Sequence, residues 1–120
     1  MVLKFGGTAI GGKENFAVCA KHVKEELKKN HKVICVVSAM GRDAPYSTDT
    51  LKGLINNNVT RKEQDRLISV GEIISSILFT DYLAENQIKA VALSTKEIGI
   101  ITDNRYGDAD IIRVEKSNLI

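Results

Sequence analysis

Lys4 sits in a short hydrophobic run, Val2-Leu3-Lys4-Phe5, that breaks at once into Gly6-Gly7-Thr8. A strand that ends in paired glycines turns several backbone N–H groups the same way, and such a nest suits phosphate oxygens. Lysine adds a flexible point charge, matched to a phosphate better than to a planar carboxylate. A glycine turn after a strand is also an ordinary structural feature, so these residues alone leave both readings open. A second polar group follows Val33-Ile34-Cys35-Val36-Val37: Ser38-Ala39-Met40-Gly41-Arg42, then Ser47-Thr48-Asp49-Thr50. In open α/β sheets ligands gather beyond the carboxyl ends of the strands, and Thr8 and Ser38 should reach the same rim. Ser38, Thr48 and Thr50 are equally suited to making turns and capping the next helix. The third candidate is Glu72, the only charge between Leu67 and Leu78. A carboxylate on an otherwise apolar helix must face a polar ligand, a partner or a wet strip beside Ser69 and Ser76.

These residues need a frame, and the pattern supplies one. Phe16, Cys19, Ala20, Val23 and Leu27 fall on one helical stripe, with Lys21, Lys24, Glu25, Lys28 and Lys29 on the wet side and Asn30 as a stop. The unbroken run from Val33 to Val37 predicts a strand covered on both faces, hence a parallel sheet and a right-handed βαβ unit. Gly41 to Asp49, with Pro45, reads as a loop. Thr60-Arg61-Lys62-Glu63 has the capping-box form and predicts a long helix reaching about Glu85. The apolar circumference from Leu67 to Leu78 predicts that this helix is buried, its small residues letting another element approach closely. Lys89 to Leu93 reads as a third strand, with two short ones at Ile98 to Thr102 and Ala109 to Val114.

Composition fits one ordinary α/β domain. Of the 120 residues 43% are hydrophobic, enough for a single core. A net charge of +2 is too small to argue for nucleic acid or a membrane surface as partner. No apolar stretch is expected to reach the roughly 18 residues of a membrane helix. Cys19 and Cys35 have no cysteine or histidine partner at metal-ligand spacing, so buried free thiols in a reducing cytoplasm are expected and no metal site is.

Together the segments Lys4-Phe5-Gly6-Gly7-Thr8, Val36-Val37-Ser38-Ala39-Met40-Gly41, Thr48-Asp49, Ser69-Val70-Gly71-Glu72 and Gly99-Ile100-Ile101-Thr102-Asp103 resemble the aspartokinases of the amino-acid kinase superfamily. Their order and spacing fit over essentially the whole chain, and the Ser-Ala-Met-Gly loop with the Gly-Glu helix points to aspartokinases within it. The resemblance implies a three-layer αβα sandwich with a mainly parallel open sheet. It implies transfer of the γ-phosphoryl group of ATP, with Mg²⁺ bound through the nucleotide phosphates, to the side-chain carboxylate of L-aspartate. That reaction opens the routes to lysine, diaminopimelate, threonine and methionine. Lys4 would be the catalytic charge, Phe5, Gly6, Gly7 and Thr8 would hold ATP phosphates, and Ser38, Thr48 and Glu72 would line the aspartate site. The family usually carries serine where this chain has Ala9. Aspartokinases also continue past the position matching Ile120, with an aspartate opposite the first lysine, a nucleoside pocket and paired ACT domains. The expectation is therefore that residues 1–120 form the amino-terminal part of a cytoplasmic kinase domain without an ACT domain. Such a piece should self-associate or form homo-oligomers and be inactive alone. A kinase acting on another acid, or a non-catalytic module that keeps the nest, are the alternatives.

Overall fold

The structure, a computed structural model, describes residues 1–41 and 44–115; Arg42, placed in the candidate loop above, lies outside them. The chain runs β1 (Val2–Phe5), α1 (Lys13–Lys28), β2 (Ile34–Val37), α2 (Thr48–Lys52), α3 (Arg61–Glu85), β3 (Ile100–Thr102) and β4 (Ile111–Val114). β1 and β2 pair in parallel with Lys4 across from Val36 and Phe5 across from Val37, the βαβ unit that the alternation predicts. β3 and β4 form a separate antiparallel pair with an irregularity between Ile101 and Thr102. This is an α/β fold.

The core lies between α1, α3 and one face of the parallel pair. All three phenylalanines of the chain meet there: Phe79 stands edge-on to Phe5 at 5.9 Å and to Phe16 at 5.5 Å. Ile10, Phe16 and Cys19 are fully enclosed, and Val23, Met40, Leu83 and Ile88 complete the cluster. The Ser75 hydroxyl is buried on the core edge of α3 without a hydrogen-bond partner among the described residues.

The start of α3 is dictated locally. Thr60 Oγ1 accepts from the Glu63 amide at 3.3 Å while Glu63 Oε2 accepts from the Thr60 amide at 2.8 Å, closing the capping box seen in the sequence. α1 ends where Asn30 takes a positive φ of 60°, a conformation asparagine tolerates.

Several expectations are corrected. Ile34 and Val36 are 46% and 45% exposed, so β2 is covered on one face only; periodicity marks a face as apolar without saying what lies on it. Leu27, on the predicted stripe of α1, is half-exposed because the last turn runs beyond the core. No strand forms at 89–93, where the backbone finds no ladder partner among the described residues, although Ile88 just before it is buried. Residues 48–52 are helical, where the polar stretch around Pro45 had suggested a loop up to Asp49. α3 is buried along Gly71, Ser75, Phe79 and Leu83, but Val70, Ile73 and Ile77 on its other side are exposed. Its 25 residues also include an 18-residue stretch of mean hydropathy 1.5, 22% of it buried. By length and composition α3 is thus sufficient to cross a membrane, contrary to the expectation that no stretch approaches that size.

Candidate functional site

The turn after β1 is folded inward by its carbonyls. Gly6 O accepts from the Ile10 amide at 3.0 Å, Thr8 O from Asn15 Nδ2 at 3.4 Å, and Ala9 O from Cys19 Sγ at 3.3 Å. The amides of Gly7 and Thr8 have no hydrogen-bond partner among the described residues, which leaves two donors side by side at the carboxyl end of the strand. Phe5 contributes only its backbone here: its ring is in the core and its carbonyl accepts from the Ser38 amide at 3.2 Å.

That last bond ties the end of β1 to the end of β2, and the two following loops pack on each other. A Cβ on Gly7 would stand 3.2 Å from the Ala39 carbonyl oxygen, and one on Gly41 would stand 3.2 Å from the Gly7 carbonyl oxygen. The glycines let two backbones touch, so the Lys-Phe-Gly-Gly-Thr turn and the Ser-Ala-Met-Gly loop form one rim.

The remaining loop is held by its own hydroxyls. Ser47 caps α2, its Oγ accepting from the Thr50 amide at 3.1 Å, and Thr50 Oγ1 donates to Ala44 O at 3.1 Å. Thr50 and Ser47 are therefore structural, and Thr48, the first residue of α2, is left half-buried beside them. α3 reaches this loop through Gly71. A Cβ there would lie 2.7 Å from the Tyr46 carbonyl oxygen and 3.0 Å from the Ala39 side chain. The next residue is Glu72, exposed and in no ion pair among the described residues.

The structure thus links the turn at 6–8 to Ser38–Gly41, and Ser38–Gly41 to the Tyr46–Thr48 segment and the Gly71–Glu72 step of α3. Lys4 stands apart from this chain of contacts. It is exposed on the open face of β1, among Val2, Ile34 and Val36, and makes no hydrogen bond or ion pair with Ser38, Thr48 or Glu72. Asn15, which holds the turn in place, was not singled out from sequence, whereas Gly41 was, as the end of the Ser-Ala-Met-Gly loop. Asn15 carried no signal beyond its place in the first turn of α1. The thiols are not reactive parts of the site: burial pushes both Cys19 and Cys35 above the ordinary thiol value.

Residues 1–120 match the amino acid kinase family. The chain is 40% identical over 123 residues to aspartokinase 1 of Bacillus subtilis (strain 168) and 38% identical over 122 residues to an aspartokinase of Geobacillus stearothermophilus. Each alignment takes in 99% of this chain but 30% and 29% of those relatives. The crystal structure of an aspartate kinase from Synechocystis superposes with a TM-score of 0.74 at 36% identity, over 83% of this chain and 17% of that one.

Proposed function

The chain belongs to the amino acid kinase family, and from that premise we propose that it carries the phosphate rim and part of the acceptor site of an aspartate kinase. The observation that supports this reading best is the contact of Gly7 with Ala39 and Gly41, because it joins the two motifs that the resemblance assigns to ATP and aspartate. In this reading the free amides of Gly7 and Thr8 donate hydrogen bonds to the oxygens of the ATP phosphates. Lys4, on its flexible stem, swings to the same charge as the γ-phosphoryl group moves. Phosphoryl transfer needs positioning and charge neutralisation more than a protein nucleophile, which is what such groups supply.

Glu72, with a carboxylate in no ion pair among the described residues, takes the α-ammonium group of aspartate, while Thr48 and Ser38 offer hydroxyls to its other end. Among the described residues no three His, Cys, Asp or Glu side chains gather closely enough to hold a metal ion. In the proposal Mg²⁺ arrives on the phosphates of ATP. The product is 4-phospho-L-aspartate, made in the cytoplasm for lysine, diaminopimelate, threonine and methionine synthesis. Since the chain spans under a third of the length of the relatives it matches, the proposal also holds that these residues supply one side of the reaction and do not turn over alone.

Glu72→Ala in an active enzyme containing this chain tests the assignment. A charge-assisted hydrogen bond is worth about 1.5–3 kcal/mol, so the affinity for aspartate should fall by about tenfold to a hundredfold while that for ATP stays put. Equal losses for both substrates, or none, would reduce Glu72 to a helix surface residue.

A further inference from the structure

α3 carries four serine and threonine hydroxyls, and three of them are settled within the helix itself. Ser69 Oγ donates to Arg66 O at 2.7 Å, Ser76 Oγ to Ile73 O at 2.8 Å and Thr80 Oγ1 to Ser76 O at 2.8 Å. Such back-bonding is the ordinary local remedy for a hydroxyl inside a helix. Ser75 does not take it. It is fully enclosed, and its hydroxyl bonds neither its own helix nor any other described residue. An unmade hydrogen bond on a buried hydroxyl is costly, so the exception calls for a reason. Its neighbours on the buried edge show what lies over it. Gly71, one turn before, is where α3 meets the Ala39 methyl and the Tyr46 carbonyl. Phe79, one turn after, packs edge-on to Phe5, the last residue of β1. A turn is about 5.4 Å, which puts Ser75 beneath the place where the end of β1 meets the loop after β2. That loop has unspent polar groups of its own. Ala39 and Met40 are 6% and 9% exposed, yet their amides have no hydrogen-bond partner among the described residues. The Ala39 carbonyl oxygen faces Gly7, and a trans peptide sends its N–H the opposite way, so the Met40 amide points away from the Gly6–Thr8 turn. A hydroxyl can accept what that amide has to donate.

We propose that Ser75 is a positioning residue for the Ser38–Gly41 loop, its Oγ accepting from the Met40 amide as the acceptor site fills. The inference rests on the acceptor site proposed above, because this loop is what carries the Ser38 hydroxyl to aspartate. Settling of the loop onto Ser75 fixes the direction of Ser38. The bond is made only then, so its gain goes to aspartate binding and not to the stability of the free chain. ATP meets the amides of Gly7 and Thr8, on the opposite side of the Ala39 peptide, and its binding does not draw on this contact.

Steady-state kinetics of Ser75→Ala in an active enzyme containing this chain, with thermal unfolding alongside, separates this role from plain packing. The variant should melt at or above the temperature of the parent, since it loses a buried hydroxyl that had no partner. Its KM for aspartate should nevertheless rise by about fivefold, the size of one hydrogen bond, with kcat and the KM for Mg-ATP within about twofold of the parent. Ser75→Cys, which fills the same place but bonds weakly, should behave as alanine does. Hydrogen exchange reads the contact without turnover: aspartate should slow exchange of the Met40 amide in the parent and in neither variant. A variant that loses stability and keeps its KM for aspartate, or equal rises in both KM values, would make Ser75 a packing residue and overturn the proposal. Glu72→Ala measured in parallel tells two failures apart. If it raises the KM for aspartate and Ser75→Ala does not, the inference alone falls; if neither does, the acceptor site falls with it.

Discussion

At the scale of single residues, the site depends on places where a side chain is missing. Gly7 and Gly41 allow two loops to touch, and Gly71 allows α3 to press on the Tyr46 carbonyl. The last is the tightest of the three, at 2.7 Å against 3.2 Å for the other two, and the atom that an added methyl would meet belongs to the backbone and has no rotamer to yield. Gly71→Ala should therefore push the 46–48 segment away from α3. The expected cost is about 1–3 kcal/mol in denaturant unfolding, in the range of overpacking a close contact. Aspartate affinity should fall with it, since Thr48 moves. An alanine variant as stable as the parent would show that the loop has slack. Gly71 was legible in the sequence as one of the small residues on an apolar helix, which implies close approach. Glu72 beside it was legible as a conspicuous charge, yet sequence could not say that the carboxylate is exposed. Exposure depends on which edge of the helix the core takes, and both edges of α3 are apolar.

Among the elements, α3 was the most readable because its start is written in four residues. Thr60 and Glu63 satisfy each other's amides, and the helix runs from Arg61 to Glu85 as the capping box and periodicity predict. The hydrogen bond from the Thr60 amide holds the Glu63 carboxyl below its ordinary value. A depressed carboxyl contributes stability above its unfolded pKa and loses it as the pH falls through the folded one. Acidification from about pH 5 to about pH 3 should thus loosen the start of α3. Thr60→Ala removes about 1 kcal/mol at neutral pH and makes that acid limb shallower, as thermal unfolding across a pH series would reveal. An unchanged melting temperature, or an acid limb as steep as before, would mean the box is not stabilising.

The short elements were less legible for physical reasons. α2 is five residues long and depends on Ser47 and Thr50 bonding the loop, a tertiary arrangement with no periodic trace. The segment 89–93 has strand-like residues, but a strand exists only where a partner completes its ladder.

For the whole molecule, the family follows from the match of all 120 residues, and the α/β fold from that match and the superposition. What these residues do together is the proposal: two donors at Gly7 and Thr8, with Lys4 free to reach them, make a phosphate rim. Lys4 is the point at which geometry and proposal are furthest apart, since its neighbours on β1 and β2 are Val2, Ile34 and Val36 and not the acceptor residues. Calorimetric titration of this chain with Mg-ATP, wild type beside Lys4→Ala, addresses that gap directly. Lys4 is exposed, so its removal should leave the fold intact by circular dichroism. The account predicts heat of binding for the wild type and a loss of affinity of about tenfold or more in the variant, the size of one charge-assisted contact. Equal affinity in both chains, or a folded wild type that takes up no nucleotide, would contradict it.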